Sequence, residues 1–210
     1  MRFGIIFDMD GTLWDSAKQV AQAWSNITKP KLGVTITKED LYRCMGMPMD
    51  KLVMELLPGY SMEQVKPVFE ECEKAENDYL AEHGAQLYPK LVETLQVLAE
   101  KFPLYIVSNC QVGYIETFLS YYQLSEYFCD HICFGDNGLQ KGENIALIMK
   151  RNQLEQAVYV GDIQADYEAA LAGGARFIHA AYGFGTVDAD VETIHEFSEL
   201  PQCVANMLDK

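Results

Sequence analysis

The chain opens on a short apolar run, Phe3, Ile5, Ile6 and Phe7, too short for a helix and rich in β-branched and aromatic residues. Such a run suits an inner strand of a parallel sheet, buried on both faces. Polar and turn residues follow from Asp8. Apolar positions then recur at helical spacing through Val20, Ala23, Trp24 and Ile27, with Ser16 as the cap and Pro30 and Gly33 as the stop. The helical period continues from Thr37 to Gly84 with no strand pattern. Thr37-x-x-Asp40 predicts one helix start, and Leu52, Leu56 and Leu57 lead to the Pro58-Gly59 turn. Ser61 with Gln64 then opens a long helix carrying Met62, Val65, Phe69, Cys72 and Tyr79. Pro67 inside that pattern predicts a kink or a later start.

From Tyr88 the two periods alternate. Pro89 suits a first helical turn, and Leu91, Leu95, Leu98 and Phe102 form one helix face. Residues 104–107 read as a strand ending at Ser108-Asn109, and 112–122 as a helix with Ile115, Phe118 and Leu119 inward. Residues 131–134 read as a short strand ending at Gly135-Asp136. Ile145, Ile148 and Met149 mark a helix that begins after Lys141-Gly142. Residues 157–160 form a strand ending at Gly161-Asp162, 165–172 a helix closed by Gly173-Gly174, and 176–179 a fifth strand. Helices between successive strands imply parallel βαβ units. The predicted fold is therefore α/β: a doubly wound parallel Rossmann-like sheet from residues 1–15 and 86–210, with an all-helical cap inserted at 16–85. The hinges fall near Asp15-Ser16 and Ala85-Gln86-Leu87, placed by the change of period alone because no Gly/Ser-rich linker marks them.

A length of 210 residues accommodates such a core and its smaller insertion. Sixteen basic against thirty-one acidic residues give a net charge of −15, a surface that repels nucleic acid and anionic membranes. A phosphorylated substrate then needs a local cation: a metal ion, a lysine or both. No apolar run approaches the ~20 residues of a membrane span. The six cysteines follow no regular framework and no signal-peptide pattern precedes Phe3, which predicts free thiols in a reducing cytoplasm. Composition leaves monomer and homodimer equally open.

Open α/β sheets bind ligands beyond the carboxyl ends of their strands. Four predicted strand ends carry reactive groups there: Asp8, Asp10 and Thr12; Ser108 and Asn109; Lys141; Asp162 and Asp166. In order and in strand context these resemble the four motifs of the haloacid dehalogenase superfamily, from Asp-x-Asp-x-Thr at residues 8–12 to Gly-Asp-x-x-x-Asp at residues 161–166. The resemblance spans nearly the whole chain. Each motif is weak alone, and the specificity lies in four of them falling at the right kind of position.

Enzymatic accelerations of phosphate-monoester hydrolysis reach ~10²¹, so a nucleophile, an acid and charge neutralisation are all required. The resemblance implies that Asp8 is the nucleophile, forming an aspartyl-phosphate. It implies that Asp10 protonates the leaving alkoxide and later takes a proton from water, a role that needs surroundings unlike those of Asp8. Mg²⁺ is the implied cofactor, held by the Asp8 carboxylate, the Asp10 backbone carbonyl, Asp162 and Asp166, the last directly or through water. Thr12, Ser108 and Asn109, the last through its backbone N–H, are the implied phosphate holders, and Lys141 would offset charge and restrain Asp8.

The insertion resembles the small cap of the phosphoglycolate phosphatase and β-phosphoglucomutase branch, and Arg43-x-x-Gly46-Met47-Pro48 resembles its substrate-facing loop. Arg43 and Lys51 are either contacts to a second anionic group or exposed charges. Asp10 argues against dehalogenases, which protonate no alkoxide. The expected function is a Mg²⁺-dependent phosphatase acting on a small phosphorylated molecule. A phosphomutase is the nearest alternative; a phospho-receiver or an inert binding module is the reading from another class. Many relatives have Lys-Pro where this chain has Lys141-Gly142, so a looser loop is expected there. Asp166 has a second reading as a partner for its own helix N-terminus. Cys129-x-His131-x-Cys133 lacks a second cluster to complete a metal site and reads as buried thiols beside a strand. His179 is expected at the core edge. Met45, Met47, Met49 and Met54 predict lid packing or a pliable apolar wall, and the acidic run Glu70-Glu71-x-Glu73-x-x-Glu76 a solvated helix face.

Overall fold

In the computed structural model, which describes residues 2–47 and 49–209, the apolar run forms β1 (Phe3–Phe7), buried along its whole length. A short β2 (Trp14–Asp15) leads into α1 (Ala17–Leu32), α2 (Lys38–Cys44), α3 (Met49–Leu56) and α4 (Met62–His83), and β3 (Gln86–Leu87) closes that stretch. There follow α5 (Leu91–Ala99), β4 (Leu104–Ser108), α6 (Tyr114–Tyr121), β5 (Phe128–Cys133) and a single turn, α7 (Phe134–Asn137). The chain ends with α8 (Lys141–Arg151), β6 (Gln156–Gly161), α9 (Gln164–Gly173), β7 (Arg176–Ala180), β8 (Glu192–Ile194) and α10 (Leu200–Leu208).

Six strands make one sheet in the order β5-β4-β1-β6-β7-β8, every adjacent pair parallel. The order reverses between β1 and β6, and a ligand crevice opens at the carboxyl ends of strands at such a point. Side-chain alternation divides the core. Ile5 and Phe7 pack with Ile106 and Val160 on one face; Ile6 packs with Tyr105, Val107 and Tyr159 on the other. Both faces are covered by helices, which is why β1 reads as an unbroken apolar run.

The change of period near residues 15 and 86 coincides with a ribbon in which β2 pairs antiparallel with β3, Trp14 opposite Leu87 and Asp15 opposite Gln86. Four helices lie between these strands. Their starts follow the local chemistry: Asp40 accepts from the Thr37 N–H at 2.9 Å while the Asp40 N–H donates to Thr37 Oγ1 at 3.2 Å, and the Ser61 N–H donates to Gln64 Oε1 at 2.8 Å. Trp24 of α1 stacks edge-on against Phe69 of α4 at 5.0 Å.

Several boundaries differ from expectation. Pro30 does not stop α1; it lies in the last turn, where it costs one backbone bond, and the stop is Gly33 at φ 71, whose N–H still reaches the Lys29 carbonyl. Pro67 does not delay α4, which begins at Met62. α5 begins at Leu91, so Pro89 precedes the helix and Phe102 follows it. α6 begins at Tyr114 after Gly113. β5 begins at Phe128, three residues early, and Phe134 leaves it for α7. The loose loop expected at Lys141-Gly142 is instead the first turn of α8. A Cβ on Gly142 would stand 3.0 Å from Ala172 Cβ, so the glycine lets α8 and α9 approach. β8 and α10 had no counterpart in the predicted elements; β8 buries only Ile194 and offers no alternation, while α10 buries Leu200, Val204 and Met207 on one face. All six cysteines are free; Cys129, expected to be buried, is exposed. Among the described residues no helix is long and apolar enough to cross a membrane.

The ring cluster joining ribbon and core centres on Phe118, fully buried and edge-on to Trp14 at 5.0 Å. Phe118→Ala is expected to lower the unfolding free energy by about 3–5 kcal/mol, measured by denaturant melts followed by circular dichroism.

Candidate active site

The end of β1 sets the first carboxylate. Asp8 is buried, and its N–H is held by the Val160 carbonyl of β6 at 2.9 Å. Its Oδ1 accepts from Lys141 Nζ at 3.0 Å, and the same ammonium donates to Asp166 Oδ1 at 2.7 Å. Lys141 reaches both because α8 starts at that residue, beneath the β1–β6 crevice. Asp166 does two things: its other oxygen accepts from the Asp162 N–H (3.0 Å) and the Ile163 N–H (3.2 Å), closing the N-terminus of α9. The helix-partner reading of Asp166 is thus realised, and its carboxylate still faces the cluster.

Asp162 stands at the end of β6, its Oδ2 accepting from the Phe184 N–H at 2.7 Å. Gly11 makes room for it: at φ +84, a Cβ there would fall 2.1 Å from Asp162 Oδ2. Ligand oxygens of Asp8, Asp162 and Asp166 all lie within 4.8 Å of one another, the one such group of three or more potential ligands among the described residues. Cys129, His131 and Cys133 form no such group; His131 instead faces Glu116 at 3.4 Å.

Charge in this cluster is out of balance. Burial, then the neighbouring Asp166, pushes the Asp8 pKa up to about 7 against the pull of Lys141. Burial and the charges of Asp166 and Asp8 drive Asp162 well above the usual carboxylate range. Burial opposes the charged form of Lys141, yet Asp166 and Asp8 outweigh it and raise its pKa. Three carboxylates share one ammonium.

Asp10 lies in other company. Its Oδ1 is 2.6 Å from Ser16 Oγ and 2.7 Å from the Tyr114 hydroxyl, and those two oxygens are 2.8 Å apart. Burial pushes its pKa up to about 6, with the two hydroxyls pulling against that rise. Ser16 was expected to cap α1; its hydroxyl turns to Asp10, and Asp15 accepts from the Ala17 N–H instead. Sequence reading did not single out Tyr114 or assign Ser16 to the site, since nothing local ties a helix tyrosine to a residue 104 positions away.

Ser108 is buried at the end of β4 and lines the cleft beside Asp8 and Asp10. Asn109 lines it too, but its Nδ2 donates to the Gly46 carbonyl at 2.8 Å, tying the core to the loop after α2. Thr12 does not line this cleft; its carbonyl accepts from the Tyr182 hydroxyl at 2.9 Å, and its own buried hydroxyl has no partner. Arg43 is not brought to the aspartates. It pairs with Asp40 at 2.7 Å, mostly in solvent, and with Lys51 borders a separate outer groove. Pro48 of the expected substrate loop lies outside the described residues. Of the four methionines expected in lid packing or an apolar wall, Met45, Met47 and Met49 line the cleft and Met54 does not. His179 sits at the core edge, its Nε2 3.2 Å from the Asp162 carbonyl.

The acidic run on α4 departs from its reading most at Glu76, with Glu73 only partly exposed. Glu70 and Glu71 face solvent, but Glu76 is buried, accepts from Trp24 Nε1 at 2.5 Å and lines the cleft with Asp8 and Asp10. Burial pushes its pKa up to about 8. The signal was present in the spacing: Cys72, Glu76 and Leu80 form one i, i+4 row of buried residues.

Buried carboxylates and a lysine thus gather at the strand ends of a parallel sheet, where open α/β folds bind ligands. The chain belongs to the haloacid dehalogenase-like hydrolases, whose family model matches residues 5–180. It is an enzyme, and its similarity is to the phosphatases of that family. It is 29% identical over 210 residues to a phosphoglycolate phosphatase of Yersinia pestis, covering 96% of this chain and 88% of that protein. It is also 29% identical over 211 residues to one from Aquifex aeolicus, covering 96% of each. A haloacid dehalogenase-like hydrolase of Streptococcus pneumoniae shares the fold at a TM-score of 0.81 and 22% identity, covering 96% of this chain and 97% of that one.

Glu76 makes a measurable contribution to stability against pH. Its folded pKa lies above the ordinary value of 4.5, so its contribution is fully present below about 4.5 and is lost as pH rises through about 8. In EDTA, the wild type should lose stability between pH 5 and 8 more steeply than Glu76→Gln, as read by denaturant melts across that range.

Proposed function

We propose that the protein is a Mg²⁺-dependent phosphatase that hydrolyses a small phosphorylated metabolite through an aspartyl-phosphate on Asp8. The observation that carries this reading is the contrast between two aspartates two residues apart. Asp8 rests on the Lys141 ammonium, a charged partner that favours its anion, while Asp10 is turned to the neutral hydroxyls of Ser16 and Tyr114. One suits a nucleophile and the other an acid that exchanges protons near neutrality.

In the first step an Asp8 carboxylate oxygen attacks phosphorus, the bond to the alcohol oxygen breaks, and Asp10 gives its proton to that oxygen. In the second, Asp10 takes a proton from water as the water oxygen attacks phosphorus, and the bond to Asp8 breaks to release phosphate. Lys141 compensates charge on Asp8 throughout, and Ser108 with the Asn109 N–H receives the phosphoryl oxygens. The cluster of Asp8, Asp162 and Asp166 suits a hard divalent cation: three oxygen donors in close reach, with raised pKa values on Asp8 and Asp162 that mark an uncompensated negative charge. Bound there with the Asp10 carbonyl, Mg²⁺ supplies the positive charge that lets an anionic phosphate approach Asp8.

Residues 16–85 act as a cap on the core formed by 1–15 and 86–210, with the β2–β3 ribbon as its base and the Asn109–Gly46 bond as a latch across the cleft. Closure excludes water during transfer, and opening admits water and releases product. A net charge of −15 and free cysteines support a cytoplasmic enzyme without nucleic-acid or membrane partners.

Phosphate release from p-nitrophenyl phosphate should require Mg²⁺ and stop in EDTA. Asp8→Asn should reduce it below detection, and Asp10→Asn should lower kcat by about 10²–10⁴-fold. Full turnover by Asp8→Asn would overturn the proposal.

A further inference from the structure

The inner cleft holds a carboxyl that the steps above do not use, Glu76, and its place bears on which ester the enzyme takes. The alcohol oxygen must leave next to Asp10, so the rest of the alcohol occupies whichever space Asp10 lines. That space is the narrow inner cleft of about 40 Å³ between the core and the helices 16–85, which both Asp8 and Asp10 border. The outer groove carrying Arg43 and Lys51 meets the inner cleft at Met45, Gly46, Met47 and Asn109 and borders neither aspartate.

The helices contribute an apolar wall to the inner cleft, Val20, Trp24, Leu41, Met49 and Leu52, and among the described residues no Lys, Arg or His lines it. Glu76 is set into that wall with 4% of its surface exposed. Its identified partners are N–H donors, the Trp24 indole at 2.5 Å and the Gln111 amide, which favour the anion. No cation accompanies it, and burial raises its pKa to about 8. A carboxyl held out of water among methionines and leucines without a counter-charge is costly, and a positively charged ligand removes that cost.

Resting on the phosphatase reading, we propose that the substrate is a phosphate monoester of a small amino alcohol, whose ammonium group is received by Glu76 at the apolar end of the inner cleft. An ester whose alcohol carries a carboxylate, 2-phosphoglycolate included, would bring a second negative charge toward Glu76 with no cation to meet it. Glu76 is thus a specificity-determining residue of this site.

The test compares kcat/KM, with Mg²⁺, for O-phosphoethanolamine, its uncharged near-isostere propyl phosphate, and 2-phosphoglycolate, with p-nitrophenyl phosphate as reference. The wild type should prefer phosphoethanolamine over propyl phosphate by ~10-fold or more, the range of a charge-assisted hydrogen bond, and turn over 2-phosphoglycolate least. In Glu76→Gln the ratio of phosphoethanolamine to propyl phosphate should fall to about one, and Glu76→Asp, which keeps the charge, should hold it above one. A wild type that prefers 2-phosphoglycolate, or a ratio unchanged in Glu76→Gln, overturns the inference. The wild-type ranking decides alone should a variant fail to fold. Turnover of p-nitrophenyl phosphate without an ammonium preference removes this inference and leaves the phosphatase reading intact; silence toward every ester removes both.

Discussion

Everything at the crevice depends on holding three carboxylates and one ammonium out of water within a few ångströms. Such a group persists only where donors fixed in place beforehand meet most of its oxygens, because a buried charge left without partners costs several kcal/mol. The fold supplies those donors from separate elements. β6 presents the Asp162 N–H to Asp166, the segment after β7 presents the Phe184 N–H to Asp162, and the start of α8 brings Lys141 beneath Asp8. Gly11 is needed because no side chain fits between its own backbone and Asp162. The sheet order places β1 and β6 side by side, so aspartates 154 positions apart in sequence become neighbours.

The unbalanced negative charge of the cluster is what ties structure to reaction. On the proposed reading, a cation that relieved Asp8 and Asp162 would also let a phosphate dianion come within reach of a carboxylate. Asp10 avoids that competition by leaning the other way, toward Ser16 and Tyr114, which belong to the ribbon exit and to α6. The protonation state of the acid is therefore set by the packing of α6 against the first turn after β2. The helices between the ribbon strands add the remaining wall, mostly methionine and leucine, with Glu76 as its one carboxyl.

The core strands were legible because a doubly covered parallel sheet leaves runs of apolar residues that nothing else in the chain imitates. Asp8, Asp10, Lys141, Asp162 and Asp166 were legible because each falls at or near a strand end or in a helix's first turn, a local context. What escaped depends on distance. Tyr114 and Ser16 meet Asp10 only after the chain has folded, and Glu76 looked like part of a solvated acidic face until α1 packed Trp24 against it. Arg43 illustrates the converse: its loop resembles a substrate loop, yet an acid three residues back on the same helix takes its guanidinium. β8 was missed because an edge strand that buries one residue carries almost no period, whereas α10 carries Leu200, Val204 and Met207 at helical spacing and was legible but not read.

The central claim is that phosphate passes through Asp8. The most direct measurement is a rapid acid quench of the enzyme turning over a ³²P-labelled ester with Mg²⁺, followed by proteolysis and mapping of the label. The account predicts transient label on the peptide that contains Asp8, lost when the quenched protein is treated with hydroxylamine, as an acyl phosphate should be. Label on another residue, or turnover with no covalent label at any quench time, would contradict it.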